Sequence, residues 1–588
     1  MDTQWNYIPI FLEVLFISFC GYSLLFKTLL PEAYLITALF LGFLIGFQLI
    51  KWKGNKFLIF QIIMLGLLLR NIYYLNANYG IIPFDDPNWD YGLVKTFLQE
   101  GKVFIINFQG PNVGLLEWYS GWPLLHVLTM MFSMISGIEA FYIALLIPSL
   151  ISTISSVFVC LFVEKVRKAL DFDPQITPIA LLIYVVSAET IFWPMQFVHQ
   201  NLAILFVTIT LYLVCLSVTN YKAKYRVLTM VFMFSTVMTH SFSSLVAVTF
   251  LIIYSFFSSV GNSLSKTKIG NRFFGTHRLT SIRYIPLASL VFLTIFWDSY
   301  GQAVWSHIRS GITRFSEIIL GLRKFEILPS YMSYPSLLTP TWGTIFLNLR
   351  DVLIYVPTIF GLIFIWFKIR NIPMKFFITY SSLAFGSIFI LNYLGFRVET
   401  SRIIVLAFPL VVLLSATTYS EIVKRRKLIK KTLILLISII LVFSSFAGLW
   451  GHSFVPIHLY NPLISHTEIG DRNTDAMRVN NFFQEKVSID SYSAVWADDM
   501  NPLVFLMESK DYHKIRYLRT DCVIQKSVDN REIFCSFKDL ILYSYYARTY
   551  SHVGSIQEAR SVKDILVNQL AELSRIYDDG KYRVWVNG

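Results

Sequence analysis

"WPLLHVLTMMFSMISG", residues 122–137, is the stretch on which the topology of this 588-residue chain turns. It is apolar enough to be read as a membrane crossing, and counting it as one inverts everything that follows. As a helix its 16 residues would reach only about 24 Å, short of a hydrocarbon layer of ~30 Å. Pro123 and His126 also stand near its start. Six connectors settle the matter: "KWKGNK" (51–56), "EKVRK" (164–168), "YKAKYR" (221–226), "SKTKIGNRFFGTHRLTSIR" (265–283), "FKIRNIPMK" (367–375) and "KRRKLIKK" (424–431). Lys and Arg mark cytoplasmic loops, and all six fall on the cytoplasmic side if the N-terminus is inside and residues 122–137 lie in the interface without crossing.

Working outward, 55% hydrophobic residues and a mean hydropathy of +0.57 exclude a soluble protein of this size. Apolar runs at 8–29, 33–50, 57–75, 142–163, 177–194, 199–219, 227–240, 241–259, 284–300, 349–368, 375–394, 403–419 and 432–450 predict thirteen transmembrane helices. The expected fold class is thus a polytopic α-helical membrane protein with a C-terminal extracytoplasmic α/β domain. Residues 1–451 form the membrane part, with outer loops at 76–140 and 301–345, and residues 452–588 form the tail. The tail alternates strand-like runs ("SAVWA", "KIRYL", "LILYSYYA", "KYRVWV") with helical ones ("RVNNFFQEKV", "SVKDILVNQLAELSRIY"), and "DDG" turns the chain before the last strand.

The net charge of +13 divides unevenly: residues 1–451 carry 34 basic and 19 acidic side chains, residues 452–588 carry 16 and 18. The basic excess belongs to cytoplasmic loops, which points to membrane lipids and away from nucleic acid. "FLEVLFISFCGYSLLF" lacks a basic leader and reads as a retained first helix. Cys522 and Cys535 lie in the tail, where an oxidising compartment leaves a disulfide open to them. No metal-ligand Cys/His spacing occurs.

Four features of the outer face carry chemistry. "FDDPNWDY" (84–91) places Asp85, Asp86 and Asp90 beside Trp89 in a loop just past a membrane helix, where Asp, Pro and Asn also make ordinary turns. Carboxylates among aromatic rings suit a sugar, with its hydroxyl edges and C–H faces; interfacial aromatic belts have the same composition. Arg309 and Arg314 in one outer loop, and Arg397, Glu399 and Arg402 in "GFRVETSR" (395–402), put guanidinium forks where positive charge is normally scarce. Such forks match phosphate oxygens; the alternative is snorkelling to headgroups, with Glu399 paired to Arg402 at helical spacing. His199, Gln200, Asn201, His240 and Ser241 sit at outer span ends, as a sugar pocket or as interfacial polar residues. The bilayer interior reads as almost free of ionisable groups, with Glu189 the one candidate, which speaks against an ion-coupled transporter.

With its acidic outer motif, the juxtamembrane stretch "GWPLLHVLTMMFSMISG", a span ending in "EKVRK", the outer "GFRVETSR" before a span with Pro409, and a tail closing in "IYDDGKYRVWV", the chain resembles the GT-C superfamily of integral membrane glycosyltransferases. That superfamily includes protein O-mannosyltransferases, aminoarabinose transferases and oligosaccharyltransferase catalytic subunits. The large loop here follows the third span rather than the first, which implies two added helices or another reading of the N-terminal spans. "FWDSYG" (296–301) only echoes the oligosaccharyltransferase WWD motif, so single-sugar transfer is expected over en bloc transfer.

The resemblance implies a sugar donor on a polyprenyl phosphate and a glycan, lipid or protein acceptor. Asp85 is then the first candidate for general base and Asp86 the second, with Trp89, Asp90, His199, Gln200, His240, Arg309, Arg314, Arg397, Glu399 and Arg402 binding substrate. No cofactor is required; a divalent metal at Asp85, Asp86 and Asp90 stays open. The competing readings are a lipid-linked-saccharide flippase or transporter, and a non-catalytic membrane scaffold whose tail recruits partners.

Overall fold

The structure is a computed structural model that describes residues 10–18, 31–51, 56–76, 85–103, 121–187, most of 190–264, 284–300, parts of 309–320, 341–368, 372–391, 400–425, 427–451 and five strands between 494 and 586. After the helical residues 10–18 come α1 (Pro31–Lys51), α2 (Lys56–Asn76), α3 (Asp85–Glu100), α4 (Leu124–Ser136), α5 (Ala140–Ala169), α6 (Ile176–Val186) and α7 (His199–Asn220). The remainder of the membrane part supplies α8 (Ala223–Val237), α9 (Ser241–Leu264), α10 (Tyr284–Tyr300), α11 (Thr341–Lys368), α12 (Ile372–Leu391), α13 (Thr400–Arg425) and α14 (Lys427–Gly451). The chain divides into two compact units: Met1–Leu75, Leu146–Tyr331 and Thr339–Gly451 form one, and Asn76–Leu145, Met332–Leu338 and His452–Gly588 the other.

Among the described residues, six helices are long and apolar enough to cross a membrane: α5, α7, α9, α11, α12 and α13. They are helical because in lipid every backbone N–H and C=O needs a partner from the chain itself. Hydroxyls within them follow the same rule: Ser155, Thr208, Ser217 and Thr417 each donate to the carbonyl four residues earlier. Helix α13 packs against α6, α7, α9, α11, α12 and α14, which places it at the centre of its unit. "EKVRK" ends α5 in a network in which Arg167 and the Thr177 hydroxyl of α6 both donate to Glu164.

The run expected to span 177–194 stops being a continuous helix at Val186. Ser187 is extended, with ψ 142°, and its hydroxyl closes the helix on the Ile183 carbonyl. The described residues from there to α7 are buried: Thr190, Ile191, Gln196, Phe197 and Val198. Irregular backbone in a membrane protein survives only where protein satisfies it, and here several side chains do so, Ser445 on the Val186 carbonyl and Thr190 on the Ser187 carbonyl among them. Asn201 donates its Nδ2 to the Pro194 carbonyl at 2.7 Å, and Arg70 of α2 donates its Nε to the Thr190 carbonyl at 3.0 Å.

Arg70 is a buried charge that the reading of the spans did not single out. It is 1% exposed, and its guanidinium lies over the Tyr184 ring. Gly66, one turn earlier, makes the space: a Cβ there would stand 2.5 Å from Arg70 Nη1 and 2.9 Å from Val185 Cβ. Glu13 is buried too, and accepts a hydrogen bond from Gln48 of α1. Glu189 lies outside the described residues.

In the other unit the acidic motif is helical. Asp85 and Asp86 open α3, whose positive N-terminal end favours carboxylates, and Pro87 in the first turn costs no hydrogen bond. The expectation of a loop at "DDPNWD" is therefore corrected. Left-handed glycines follow both short helices, Gly101 at φ 65° after α3 and Gly137 at φ 70° after α4. Helix α4 has 13 residues and so extends about 20 Å. It buries Leu125, His126 and Thr129, while Met131, Phe132, Met134 and Ile135 stand on its outside, an apolar face suited to lying in a bilayer interface.

The tail contributes a five-stranded sheet in the order β2 (Ile515–Tyr517), β1 (Ala494–Ala497), β3 (Asp539–Ser544), β5 (Tyr582–Val586), β4 (Ser574–Asp578). Strands β1, β2 and β3 pair in parallel, and β5 runs antiparallel to β3 and β4. The four strand-like runs of the sequence supply β1, β2, β3 and β5. The end of the expected helix, "SRIYD", is instead β4, a partner of β5 with "DG" and Lys581 between them. Cys522, Cys535 and the helical runs of the tail lie outside the described residues.

Candidate functional site

Three helices of the membrane unit begin at the same place. His199 is the first residue of α7, His240 immediately precedes α9, and Arg402 lies in the first turn of α13. The three helices pack on one another, and the His199 and His240 rings lie 4.9 Å apart. The Arg402 guanidinium is close enough to act on His240. Three N-terminal helix ends, each worth roughly half a positive charge, are thereby gathered at one point with two imidazoles and one permanent cation.

The local chemistry fixes the state of His240. It caps α9 with its own ring: Nδ1 accepts the backbone N–H of Ser243 at 3.1 Å, and the Ser243 hydroxyl lies 2.8 Å from the same nitrogen. An Nδ1 that accepts leaves the ring proton on Nε2. Burial, then His199, then Arg402 hold His240 well below its ordinary pKa of 6.5. His240 is thus a neutral donor. Both histidines are 4% exposed, and next to His199 the Gln200 amide is buried with its Nε2 unmatched. A buried donor left unmatched, as Gln200 Nε2 is, suits an anion-accepting pocket.

The loop that delivers His199 is the one pinned by Arg70 and Asn201. Asn201 is occupied as its staple. Ser241 is buried at the start of α9, where its carbonyl accepts the Ser244 hydroxyl.

In the second unit, Asp90 and His126 are both 0% exposed, with Asp90 Oδ1 2.7 Å from His126 Nε2. The ring edge of Phe97 closes on the imidazole, with centroids 5.9 Å apart. Asp90 is therefore turned into the protein onto α4, and a metal held by Asp85, Asp86 and Asp90 together would have to break that bond. Among the described residues no group of three or more His, Cys, Asp or Glu is arranged to hold a metal ion. The backbone places Asp85, Asp86 and Trp89 in the first turns of α3.

Arg309 is exposed, and Arg314 is half-buried with an unmatched Nε. Among the described residues no hydrogen bond or ion pair joins either to the His199, His240 and Arg402 group. Arg397 and Glu399 lie outside the described residues. Sequence reasoning missed Arg70 and His126. A lone Arg in "LGLLLRNIYYL" (65–75) was the available signal for the first; for the second, His126 was weighed only as a helix-start feature.

No protein-family model and no curated protein matches the chain. Solved structures do. ArnT from Cupriavidus metallidurans bound to undecaprenyl phosphate superposes with a TM-score of 0.52 at 9% identity, over 90% of this chain and 97% of that one. The arabinofuranosyltransferase AftD from Mycobacteria gives a TM-score of 0.51 at 10% identity, over 91% of this chain and 40% of that one. Likeness at this identity carries architecture alone: the chain shares the fold of these two solved structures, as its resemblance to the GT-C membrane glycosyltransferases led one to expect.

Proposed function

We propose that the protein transfers a sugar from a polyprenyl-phosphate donor to an acceptor hydroxyl on the extracytoplasmic side of a membrane that it crosses thirteen times, with its C-terminal α/β domain outside. The acceptor is a glycan, a lipid or a protein. One observation carries the reading: the starts of α7, α9 and α13 meet with His199, His240 and Arg402 on them. This is a site for a phosphate rather than for a neutral sugar or a metal cation.

In the reaction the acceptor oxygen attacks the anomeric carbon, the bond from that carbon to the phosphate oxygen breaks, and the phosphate leaves with the electron pair. Asp85, with Asp86 as the second candidate, takes the hydroxyl proton. Negative charge grows on the phosphate as that bond breaks, and donors already in place stabilise it without rearrangement. Arg402 supplies the charge, and His199, His240 and Gln200 supply hydrogen bonds. Arg309, Arg314, Arg397 and Glu399 extend the binding surface, and Trp89 stacks on a sugar face. ArnT, with the same fold, was solved with undecaprenyl phosphate bound, which supports a lipid phosphate as the ligand here.

The test is binding of undecaprenyl phosphate to the full chain in lipid nanodiscs, followed by transfer from undecaprenyl-phosphoryl pentoses and hexoses. Saturable binding that Arg402→Ala weakens, with transfer that Asp85→Asn removes, is the expected result. Equal binding by wild type and Arg402→Ala overturns the site. The buried Glu13 and Arg70 are the observation that favours a flippase instead; translocation of a fluorescent lipid phosphate without sugar transfer would establish that reading.

A further inference from the structure

Asp90 and His126 lie within hydrogen-bonding distance of each other, yet neither reaches solvent. Residues of this kind are rarely buried unless they are paired, and the pair is costly to break from one side only. A stability role alone would be served as well by two apolar residues, which the surrounding Leu93, Val94, Phe97 and Leu125 would accept. A hydrogen bond adds direction. It fixes both the rotation of α3 about its axis and its height on α4, which apolar contact leaves soft.

Helix α3 begins at Asp85, so its first turn carries Asp85 and Asp86, and Asp90 stands one turn after Asp86. The nitrogen not facing Asp90, His126 Nδ1, is buried without a hydrogen-bond partner. The imidazole is thus held through Nε2, the nitrogen that faces Asp90 Oδ1.

We propose that Asp90 and His126 are positioning residues: their hydrogen bond sets the orientation of α3, and with it the placement of Asp85 and Asp86 at its start. This rests on the reading of Asp85 or Asp86 as the general base. It takes Asp90 out of the substrate- and metal-binding set and gives His126 a role.

The experiment compares His126→Leu, His126→Gln and the double variant Asp90→Leu/His126→Leu in nanodiscs. Gln places an N–H near the position of Nε2, so His126→Gln keeps transfer within about threefold of wild type. His126→Leu takes the imidazole partner away from buried Asp90 and lowers both Tm and the transfer rate at saturating donor, the rate by at least tenfold. The double variant regains Tm without regaining rate. Undecaprenyl phosphate affinity stays within twofold of wild type in all three.

Recovery of rate together with Tm in the double variant would reduce the pair to a structural contact and overturn the proposal. A loss of lipid-phosphate affinity matching the loss of rate would also overturn it, by putting Asp90 at the donor. Hydrogen exchange of residues 85–92 reads the clamp without any turnover. Exchange at least tenfold faster in His126→Leu than in His126→Gln is expected, and equal exchange in the two rejects the clamp. Full transfer in both Asp85→Asn and Asp86→Asn would instead remove the catalytic reading while leaving the exchange result standing.

Discussion

His199 and His240 lie with their rings 4.9 Å apart, each at the start of a different membrane helix, and both are nearly closed to solvent. Two imidazoles held this close repel one another if both carry charge. The Ser243 backbone N–H on His240 Nδ1 makes the neutral form the resident one at that ring.

A pH dependence follows. The folded pKa of His240 is depressed below its ordinary 6.5, so near and below that value the unfolded chain binds a proton that the folded chain does not. The stabilisation is complete above about pH 6.5 and is lost as the pH falls below it toward the folded pKa. Thermal unfolding in detergent between pH 7.5 and 5 is expected to show Tm falling on the acid side. His240→Asn, which still offers a capping oxygen to Ser243, flattens that fall. An identical acid slope in wild type and His240→Asn would reject the assignment.

Removing the guanidinium at Arg402 is expected to weaken undecaprenyl phosphate binding about ten- to a hundredfold, the worth of one or two charge-assisted hydrogen bonds. Arg402→Lys falls between, because an ammonium keeps the charge and loses the fork. Affinity for a soluble acceptor should be unchanged. Lipid-phosphate titrations of the three proteins in nanodiscs measure this directly.

For the acidic helix start, Asp85→Asn is expected to lower transfer by two to four orders of magnitude, the usual contribution of a general base. Asp86→Asn should lower it less, and lipid-phosphate affinity should hold in both. Comparing rate at saturating donor with donor affinity separates loss of the base from loss of binding.

At the pinned loop, Gly66→Ala drives a methyl group against Arg70 Nη1 and Val185. The cost is expected to be about 1–3 kcal/mol, as for other overpacked interiors. It should appear as a lower Tm together with weaker lipid-phosphate binding, because the displaced Arg70 holds the Thr190 carbonyl in the loop leading to His199. Unaltered stability in Gly66→Ala would mean that the contact yields.

The helices of the membrane part were legible because lipid leaves the chain one choice: long apolar runs become helices. Four of the five strands were also visible, as short β-branched and aromatic runs. The end of α6 was not. "YVVSAETIFWP" (184–194) is apolar on average, and what breaks the helix there is a hydrogen-bond offer from Arg70 and Asn201 that only the tertiary structure reveals. "DDPNWD" failed the other way: its residue types favour turns, yet the same Asp and Pro are at home in a first helical turn. At the site, His199, Gln200, His240 and Arg402 were each visible as polar residues at span ends. That the first, third and fourth meet is a fact of packing, with no trace in spacing. Asp90 was recognised for its charge, whereas its buried partner His126 was not.

Three helix starts aimed at one spot have a practical consequence. Their summed partial charges, roughly one and a half units before Arg402 is counted, will draw in whatever small oxyanion the solution offers. Preparations kept in phosphate or sulfate buffers would carry such an oxyanion into every assay, whereas zwitterionic buffers with low chloride would leave the three helix starts free.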